Sequence, residues 1–509
     1  MTDGERENIL EEYEEAKEEK RRQKLMKQAE KEKLERRRKI RKKLNTAADS
    51  AVKKGKKAGR KINSIKAQAA ETLPEKKKIL VNARRKSEEA LYYASDKISL
   101  FAGKKYSQPV LSLIAFACYI AATYAFGYKP FGLSVNPATY QFYVCDFSVG
   151  FCSRLLLGAV ISLFADKVSL PAIQLIVNSA VMLSLVMLSV VAGAALKLAL
   201  KNKSMPALVI AAAFVVSPLV SVANMSAAGL LDVYLLIMFL AWLSLIKTPL
   251  CAVLTPIVCL AGMTVHYEFL FAFLPPMLTL LFYYSFFAET KGARARSTVS
   301  FVSGSAVSAS SFFYFVFFAK DHLKMTSDEF YQHMLSRFDI SRFESETLTG
   351  IMGAPLYRDY FDYYIFGQYR GNDYFGNIND FFVFLKNWSG KNFNREMFIK
   401  DMNIFMPVFM FCAVFWVVCI IREKGIKKLP FIFFIGQALV LVPELIISTD
   451  LWRWFSAALI SQFAVFFTVY ADEGSPLRSA VAAAGRKRPV KAISAVWLIC
   501  YSAYAVSLL

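Results

Sequence analysis

The chain has 509 residues, of which 55% are hydrophobic and 20% charged, yet its formal net charge is +22. A single soluble domain could not bury so many apolar residues in one core, so the composition excludes an ordinary globular protein. The charge is segregated: residues 1–106 contain 32 lysines and arginines against 18 acids, and long apolar runs follow. The sequence therefore predicts a basic arm, residues 1–106, and a membrane domain, residues 107–509.

The basic arm has two parts. Residues 1–48 alternate Glu clusters with Lys and Arg clusters and lack Gly and Pro after Gly4, which predicts a long solvated helix or a coiled coil. Residues 50–106 are rich in Ala and Lys, and a basic side chain close to anionic lipid contributes about 1 kcal/mol. We expect contact with anionic lipid headgroups, and a solvated charged tail is the alternative. No nucleic acid is expected, because the arm lacks a folded module or interleaved aromatics.

Apolar runs of membrane-spanning length begin at Ser107. They predict an all-α polytopic membrane protein with about eleven transmembrane helices. These lie at about 107–128, 171–196, 206–223, 228–246, 249–265, 269–288, 298–319, 403–421, 429–447, 451–470 and 491–508. Two connections are longer than the others, residues 129–170 and residues 320–402.

Basic residues predict the orientation, because short loops rich in Lys and Arg are retained in the cytoplasm. The loops on the side of the arm carry sixteen lysines and arginines, and the short connections on the other side carry four. We therefore expect a multi-pass protein of the cell membrane with a cytoplasmic N-terminus. The segment from Arg154 to Phe164 is too short to cross, and crossing there would invert every later loop. It predicts an interfacial helix of about three turns that begins at Arg154.

The same topology places several ionisable residues at the outer face. Asp146 follows the first predicted span, and Asp232 lies near the start of the fourth. His266 and Glu268 follow the fifth, and Asp450 and Arg453 lie where the tenth begins. Ionisable groups at a membrane boundary cost free energy and are often retained for a function. These residues are therefore the candidates for an active site on the outer face.

Structural roles would explain the same residues. Asp146 and Arg154 could form an interfacial ion pair. His266 could bond a neighbouring carbonyl at the end of its helix. Asp450 and Arg453, three residues apart, could pair on one helical face.

The large outer connection, residues 320–402, is too long for a structureless loop. Its aromatic residues concentrate in the middle, where Tyr357, Tyr360 and Tyr363 alternate with Asp and Arg. Rings that stack on sugar faces, with polar tips that bind hydroxyls, suit a saccharide groove. An aromatic core with an interface belt is the structural alternative.

Signatures of soluble enzymes are absent from the sequence. There is no Gly-rich phosphate loop with Lys, no His-Glu-x-x-His pair and no Gly-x-Ser-x-Gly elbow. Because the chain has three histidines, we predict no dedicated metal ligands. ATP-driven transport likewise has no visible motif.

Three short motifs lie at the predicted outer face. Asp146-Phe-Ser-Val-Gly-Phe-Cys-Ser-Arg154-Leu-Leu-Leu-Gly158 is similar to the first outer loop and interfacial helix of bacterial members of the GT-C class of membrane glycosyltransferases. Two further motifs are similar to later outer-face elements of the same class. They are Val265-His266-Tyr267-Glu268-Phe269 and Asp450-Leu-Trp452-Arg453-Trp454. The motifs are spread over residues 107–470, and the arm has no counterpart.

The resemblance implies a sugar on a polyprenyl phosphate as donor, with Asp146 as general base on the acceptor hydroxyl. Arg154 and Arg453 would hold the leaving phosphate, a role that suits a planar guanidinium. The substrate-binding residues would be His266, Glu268, Asp450, Trp452, Tyr357, Tyr360 and Tyr363. The class carries a second acid beside the first, but Phe147 follows Asp146 here. The need for a divalent metal therefore stays open, and no other cofactor is expected.

The sequence therefore predicts a glycosyltransferase that acts at the outer face of the cell membrane on a glycan, lipid or protein acceptor. An envelope polysaccharide polymerase or ligase is one alternative, in which Arg342, Arg358 and Arg370 of the outer loop would matter more than Asp146. A transporter or lipid flippase is another, and it would place polar groups at the bilayer midplane on broken helices. A scaffold that recruits partners through its arm is a third.

Overall fold

The structure is a computed structural model, and it describes residues 97–130, 132–133, 135, 137–226, 228–266, 268–339, 395–437 and 451–507. All of them belong to one compact unit, Ser95–Leu509. The described part is all-helical, as the sequence predicts, and its isolated parallel bridge joins Val168 and Phe338. The predicted arm lies outside the described residues except for 97–106.

The helices take their bounds from the apolar runs and from caps at their ends. The α-helices of seven or more residues in the described part are α1 Ser107–Ala125, α2 Leu156–Ser162, α3 Leu170–Lys201, α4 Met205–Val216, α5 Pro218–Ser226, α6 Asp232–Leu245, α7 Cys251–Val265, α8 Leu274–Phe287, α9 Lys291–Phe313, α10 Ser327–Ser336, α11 Arg395–Arg422, α12 Leu429–Gly436, α13 Leu451–Ala471, α14 Pro476–Gly485 and α15 Arg488–Ser507. A four-residue helix, Phe269–Ala272, precedes α8.

Several of these helices suit a membrane. Five are long and apolar enough to cross one, namely α1, α3, α11, α13 and α15. The apolar helices α4, α6, α7 and α8 have 12 to 15 residues. At 1.5 Å per residue they span about 18 to 22 Å, less than the roughly 30 Å of a bilayer core. The structure is consistent with a multi-pass membrane protein, and the number of eleven spans stays a prediction.

A proline divides one of the predicted runs into two helices. The run at 206–223 ends as α4 at Val216, and α5 begins at Pro218. Ser217 between them is extended, with ψ of 123°, because a residue that precedes proline is disfavoured in the helical region. The prediction of a single continuous helix at this place was wrong for that reason.

Helix α13 lies at the centre of the packing. Of its most apolar stretch, 83% is buried inside the protein, against 17% for α15, which is therefore peripheral. The Phe463 ring of α13 stacks on Phe214 of α4 with 3.6 Å between ring centroids. Large exposed apolar side chains such as Ile421 and Ile499 lie on the outer helices, where lipid would cover them.

Helix α9 packs through small residues. Its buried face is Ser297, Ser300, Gly304, Ser308 and Ser311, and this face contacts α7 and α8. A Cβ added at Gly304 would lie 2.9 Å from a methyl carbon of Thr255 on α7. Small side chains let helix backbones approach closely, as is common between helices in membranes.

The segment after α9 folds back onto the connection between α1 and α3. Lys324 N donates to Val149 O at 2.8 Å, Val168 N donates to Arg337 O at 2.8 Å, and Asp339 N donates to Val168 O at 3.0 Å. Between these bonds lies α10, which starts with a capping box formed by Thr326 and Glu329. This docking brings the start of the large outer connection against the loop that contains Asp146.

Candidate functional site

A first group of ionisable residues, here called the loop cluster, consists of Asp146, His333 and Arg337. The Asp146 carboxylate accepts a hydrogen bond from Ser148 N at 2.9 Å and another from Arg337 Nη1. The His333 Nε2 atom lies 3.4 Å from Asp146 Oδ1. The side chains of Asp146 and Arg337 are 14% and 7% exposed, so most of this pair is withdrawn from water.

The surroundings of Asp146 keep its carboxylate charged. Burial on its own would raise the pKa of Asp146, but hydrogen bonds from Ser148 and the charges of Arg337 and His333 outweigh burial and lower it. The carboxylate is therefore ionised at neutral pH, and its lowered pKa also makes it a weaker base than a free Asp.

Helix α2 packs against the backbone of Cys145, the residue before Asp146. A Cβ at Gly158 of α2 would collide with the carbonyl oxygen of Cys145 and lie 2.7 Å from its carbonyl carbon. Only glycine permits this approach, so the backbone immediately before Asp146 rests directly on α2.

Sequence reasoning did not identify His333 and Arg337. A signal was nevertheless present, because the two are four residues apart after a Thr326-x-x-Glu329 capping box, which places them on one face of a helix. What the sequence did not contain was the fold-back that carries them to Asp146, 191 residues away from Arg337 along the chain.

A second group, here called the helix-end cluster, consists of Arg154, Asp232, His266, Glu268 and Arg453. Arg453 of α13 donates from Nε and Nη2 to the Asp232 carboxylate, the second bond at 2.6 Å. Its Nη2 also donates to Glu268 Oε2 at 3.3 Å. One guanidinium thus connects the start of α6, the turn after α7 and the start of α13.

His266 is held neutral in this cluster. It is 5% exposed, and its Nδ1 accepts a hydrogen bond from Glu268 N at 2.9 Å. Burial lowers the pKa of His266 well below its ordinary value, and the charges of Arg154 and Arg453 lower it further. A neutral ring with Nδ1 as acceptor carries its proton on Nε2, so Nε2 is the ring donor.

Arg154 differs from the sequence expectation. Helix α2 begins at Leu156 and has seven residues, while Arg154 precedes it with φ of 67°. The neighbouring Ser153 Oγ donates to Met263 O of α7 at 2.8 Å, which fixes this turn against the end of α7. Arg154 is 5% exposed, and its charge acts on Asp232 and His266.

Of the two ion pairs considered from the sequence, one needs correction and the other stays untested. Asp146 is bound by Arg337 and not by Arg154, because α10 folds onto its loop. Arg453 is directed to Asp232 and Glu268. The expected pairing of Arg453 with Asp450 stays untested, since Asp450 lies outside the described residues.

The remaining predicted residues are less informative. Trp452 is half-buried and packs against the apolar core. Tyr357, Tyr360 and Tyr363 lie outside the described residues, so their sugar-binding role stays a prediction, as does a chamber shared by all candidate residues. Within the described ranges, no group of three or more His, Cys, Asp or Glu side chains is arranged to hold a metal ion.

The chain matches no family model, and no curated protein compared with it is significantly similar. The class that the fold defines is therefore an all-helical protein with several helices suited to a membrane, carrying two ion clusters where connections meet helix ends.

Proposed function

We propose that this protein is a glycosyltransferase that moves a sugar from a polyprenyl-phosphate donor to an acceptor outside the cytoplasm. One observation carries the proposal: a charged, mostly buried carboxylate, Asp146, lies where residues 137–168 meet residues 319–339. A buried carboxylate is expensive to maintain unless it is paired or used in chemistry. The acceptor is a surface glycan, a lipid or a protein.

In the proposed reaction Asp146 is the general base. Its carboxylate takes the proton of an acceptor hydroxyl while that oxygen bonds to the anomeric carbon of the donor sugar. The bond between the anomeric carbon and the phosphate oxygen breaks, and polyprenyl phosphate leaves with the bonding electrons. Arg337 holds the carboxylate in one orientation during this step.

The two arginines of the helix-end cluster take different roles in the proposal. The Arg453 guanidinium is bound by Asp232 and Glu268, so we assign it the positioning of those carboxylates. Arg154, nine-tenths buried and next to neutral His266, is the candidate for the leaving phosphate.

Access for a lipid-linked donor is supported by helix length. Helix α6 begins and helix α7 ends at the helix-end cluster, and with 14 and 15 residues each is shorter than a bilayer core. We place the cluster in a depression of the membrane surface that a lipid phosphate can enter from the side. In this proposal the basic arm and basic loops face the cytoplasm.

The test uses Asp146→Asn, which keeps an oxygen to accept from Ser148 N but cannot take a proton. Membrane vesicles with either chain would receive radiolabelled polyprenyl-phosphate mannose, glucose or arabinose, and transfer to endogenous acceptors would be counted. We expect Asp146→Asn to lower transfer at least about 100-fold, the range typical of a lost general base.

The matched control is Asp166→Asn, an exposed acid in the same connection, which should transfer normally. Thermal unfolding in detergent would separate loss of fold from loss of chemistry. Transfer by a folded Asp146→Asn chain at the unmodified rate would refute the role of Asp146.

An envelope polysaccharide polymerase or ligase is a second candidate, and one contact favours it. Arg337 belongs to the large outer connection and binds Asp146 directly. If the protein is a polymerase, Arg337→Gln should abolish elongation of a lipid-linked oligosaccharide, and single-sugar donors should give no product. Product from a single-sugar donor would favour the transferase.

A further inference from the structure

A cavity of about 360 Å³ lies at the other ends of the helices that form the helix-end cluster. It is bordered by Lys247 just after α6, by the first turns of α9, and by Asp472 just after α13. Arg453 and Asp472 are separated by nearly the whole of α13, about 28 Å at 1.5 Å per residue. The cavity is therefore distinct from both ion clusters and takes no part in the proposed transfer reaction.

Two polar groups in the cavity wall, Arg296 and the Ser300 hydroxyl, lack partners among the described residues. Arg296 of α9 is half-buried and makes no hydrogen bond or ion pair with a described residue. Ser300, one turn further along α9, is fully buried, and its Oγ has no hydrogen-bond partner among the described residues. The buried Tyr284 hydroxyl lies close enough to the Asp472 carboxylate to interact with it, so it is not a free donor.

Of the charged side chains that line the cavity, Arg296 is the cation without an ion-pair partner among the described residues. Lys247 is paired with Asp472, and Glu289 is exposed and forms no ion pair with Arg296. The N-terminus of α9, capped by Thr290, adds a partial positive charge at the same place. A buried hydroxyl and a half-buried guanidinium without partners cost free energy, which a bound anion would recover.

We propose that this cavity binds the phosphate group of an organic phosphate. Donors come from the Arg296 guanidinium, from the Ser300 hydroxyl and from the start of α9, and this spread fits a tetrahedral phosphate with several terminal oxygens. A planar carboxylate offers two oxygens and would leave donors unused. The rings of Tyr283 and Phe287 also line the cavity and give the organic part of the ligand an apolar wall.

The organic phosphate has two sources, a soluble sugar phosphate or a lipid headgroup that enters from the membrane. Glucose 1-phosphate added to the purified full-length protein in detergent, with binding measured by thermophoresis, tests the first. Native mass spectrometry of protein released from nanodiscs of phosphatidic acid and phosphatidylcholine tests the second. Retention of phosphatidic acid over phosphatidylcholine identifies the lipid source.

The decisive variant is Arg296→Gln, and its matched control is Arg294→Gln. Arg294 lies on the same helix, is exposed, and donates to Ala288 O without lining the cavity. We expect Arg296→Gln to weaken binding of the probe about tenfold or more, as for a lost charge-assisted hydrogen bond, and Arg294→Gln to leave it unchanged.

A second pair of variants keeps the charge and removes a hydroxyl. Ser300→Ala should weaken binding about threefold to tenfold. Ser303→Ala, whose serine donates to Ser300 O on the same helix, should have no effect. If neither probe binds at millimolar concentration, or if Arg294→Gln weakens binding as much as Arg296→Gln, the proposal is wrong. Both results are independent of the transfer assay.

Discussion

Arg453 joins three segments that are far apart in the sequence. Its guanidinium binds Asp232, 221 residues away, and Glu268, 185 residues away, and the side chains of all three are mostly buried. Because such charges are costly to bury, removing one member leaves the others uncompensated. The cluster therefore fixes how α6, α7 and α13 meet at this face.

Arg453→Ala should lower the free energy of unfolding by about 2 to 3 kcal/mol, somewhat less than for fully buried pairs because the partners keep some contact with water. Lys247→Ala removes a pair whose lysine is 54% exposed, and should cost less than about 1 kcal/mol. Unfolding in detergent at increasing denaturant measures both. Equal effects of the two variants would contradict a structural role for Arg453.

The buried, neutral state of His266 predicts a pH dependence of stability. Its pKa in the folded protein lies well below the ordinary value of 6.5. Below about pH 6.5 the unfolded chain binds a proton at His266 that the folded chain does not, so stability falls as the pH falls, by up to about 1.4 kcal/mol per pH unit. Unfolding temperatures measured between pH 5 and pH 8 should show this loss.

His266→Asn keeps an acceptor for Glu268 N and cannot titrate, so it should flatten the pH profile. His322→Asn, which replaces an exposed histidine, is the control and should keep the slope of the unmodified protein. An unchanged slope in His266→Asn would assign the pH dependence to other groups.

Single residues were easier to predict than their partners. Asp146, Arg154, His266, Glu268 and Arg453 could be found in the sequence because each is ionisable and lies beside an apolar run. Their pairing could not be found, since it depends on how helices hundreds of residues apart pack. The sequence predicts that these residues lie near one membrane face. Their division into two clusters depends on the tertiary structure and could not be predicted.

At the scale of elements, glycines decide how closely backbones approach. Gly158 lets α2 contact the carbonyl of Cys145, and Gly193 lets α3 pack on α1, where an added Cβ would lie 2.6 Å from Ser112 N. Neither contact was foreseeable from the apolar pattern, because the pattern gives helix positions and not interhelical distances.

Gly158→Ala should displace the backbone that carries Asp146 without changing any charge. We expect a loss of about 1 to 3 kcal/mol in stability, as for other overpacked sites, and reduced sugar transfer in the vesicle assay. Gly292→Ala on α9 has no atom within 4 Å of the added carbon and should leave both unchanged. Normal transfer by Gly158→Ala would indicate that α2 does not position Asp146.

For the whole molecule, the positions of the helices along the chain could be predicted from the sequence better than the number of membrane crossings could. The apolar runs agree with the described helices, apart from the division at Pro218, the break at Phe273 between Phe269–Ala272 and α8, and the added helices α10 and α14. These two added helices are amphipathic or polar. Short helices such as α6 and α7 keep the number of crossings open, because length alone does not determine which of them pass through the bilayer.

The predicted orientation can be tested with two single cysteines in a chain whose eight native cysteines are replaced by serine. Asp328→Cys lies at the start of α10 and Lys427→Cys lies between α11 and α12, both at exposed positions. In intact bacterial cells a membrane-impermeant maleimide should label Asp328→Cys and reach Lys427→Cys only after permeabilisation. The reverse pattern would invert the topology.

Helix α9 has seven serines and one threonine among its 23 residues, and it is not one of the five helices apolar enough to cross a membrane. Its small hydroxylic face fits against α7 and α8, which the ribosome makes earlier. We therefore expect α9 to be stable only where α7 and α8 are already packed beside it. Chains that stop before Lys291 should lack the segment that covers the facing sides of α7 and α8.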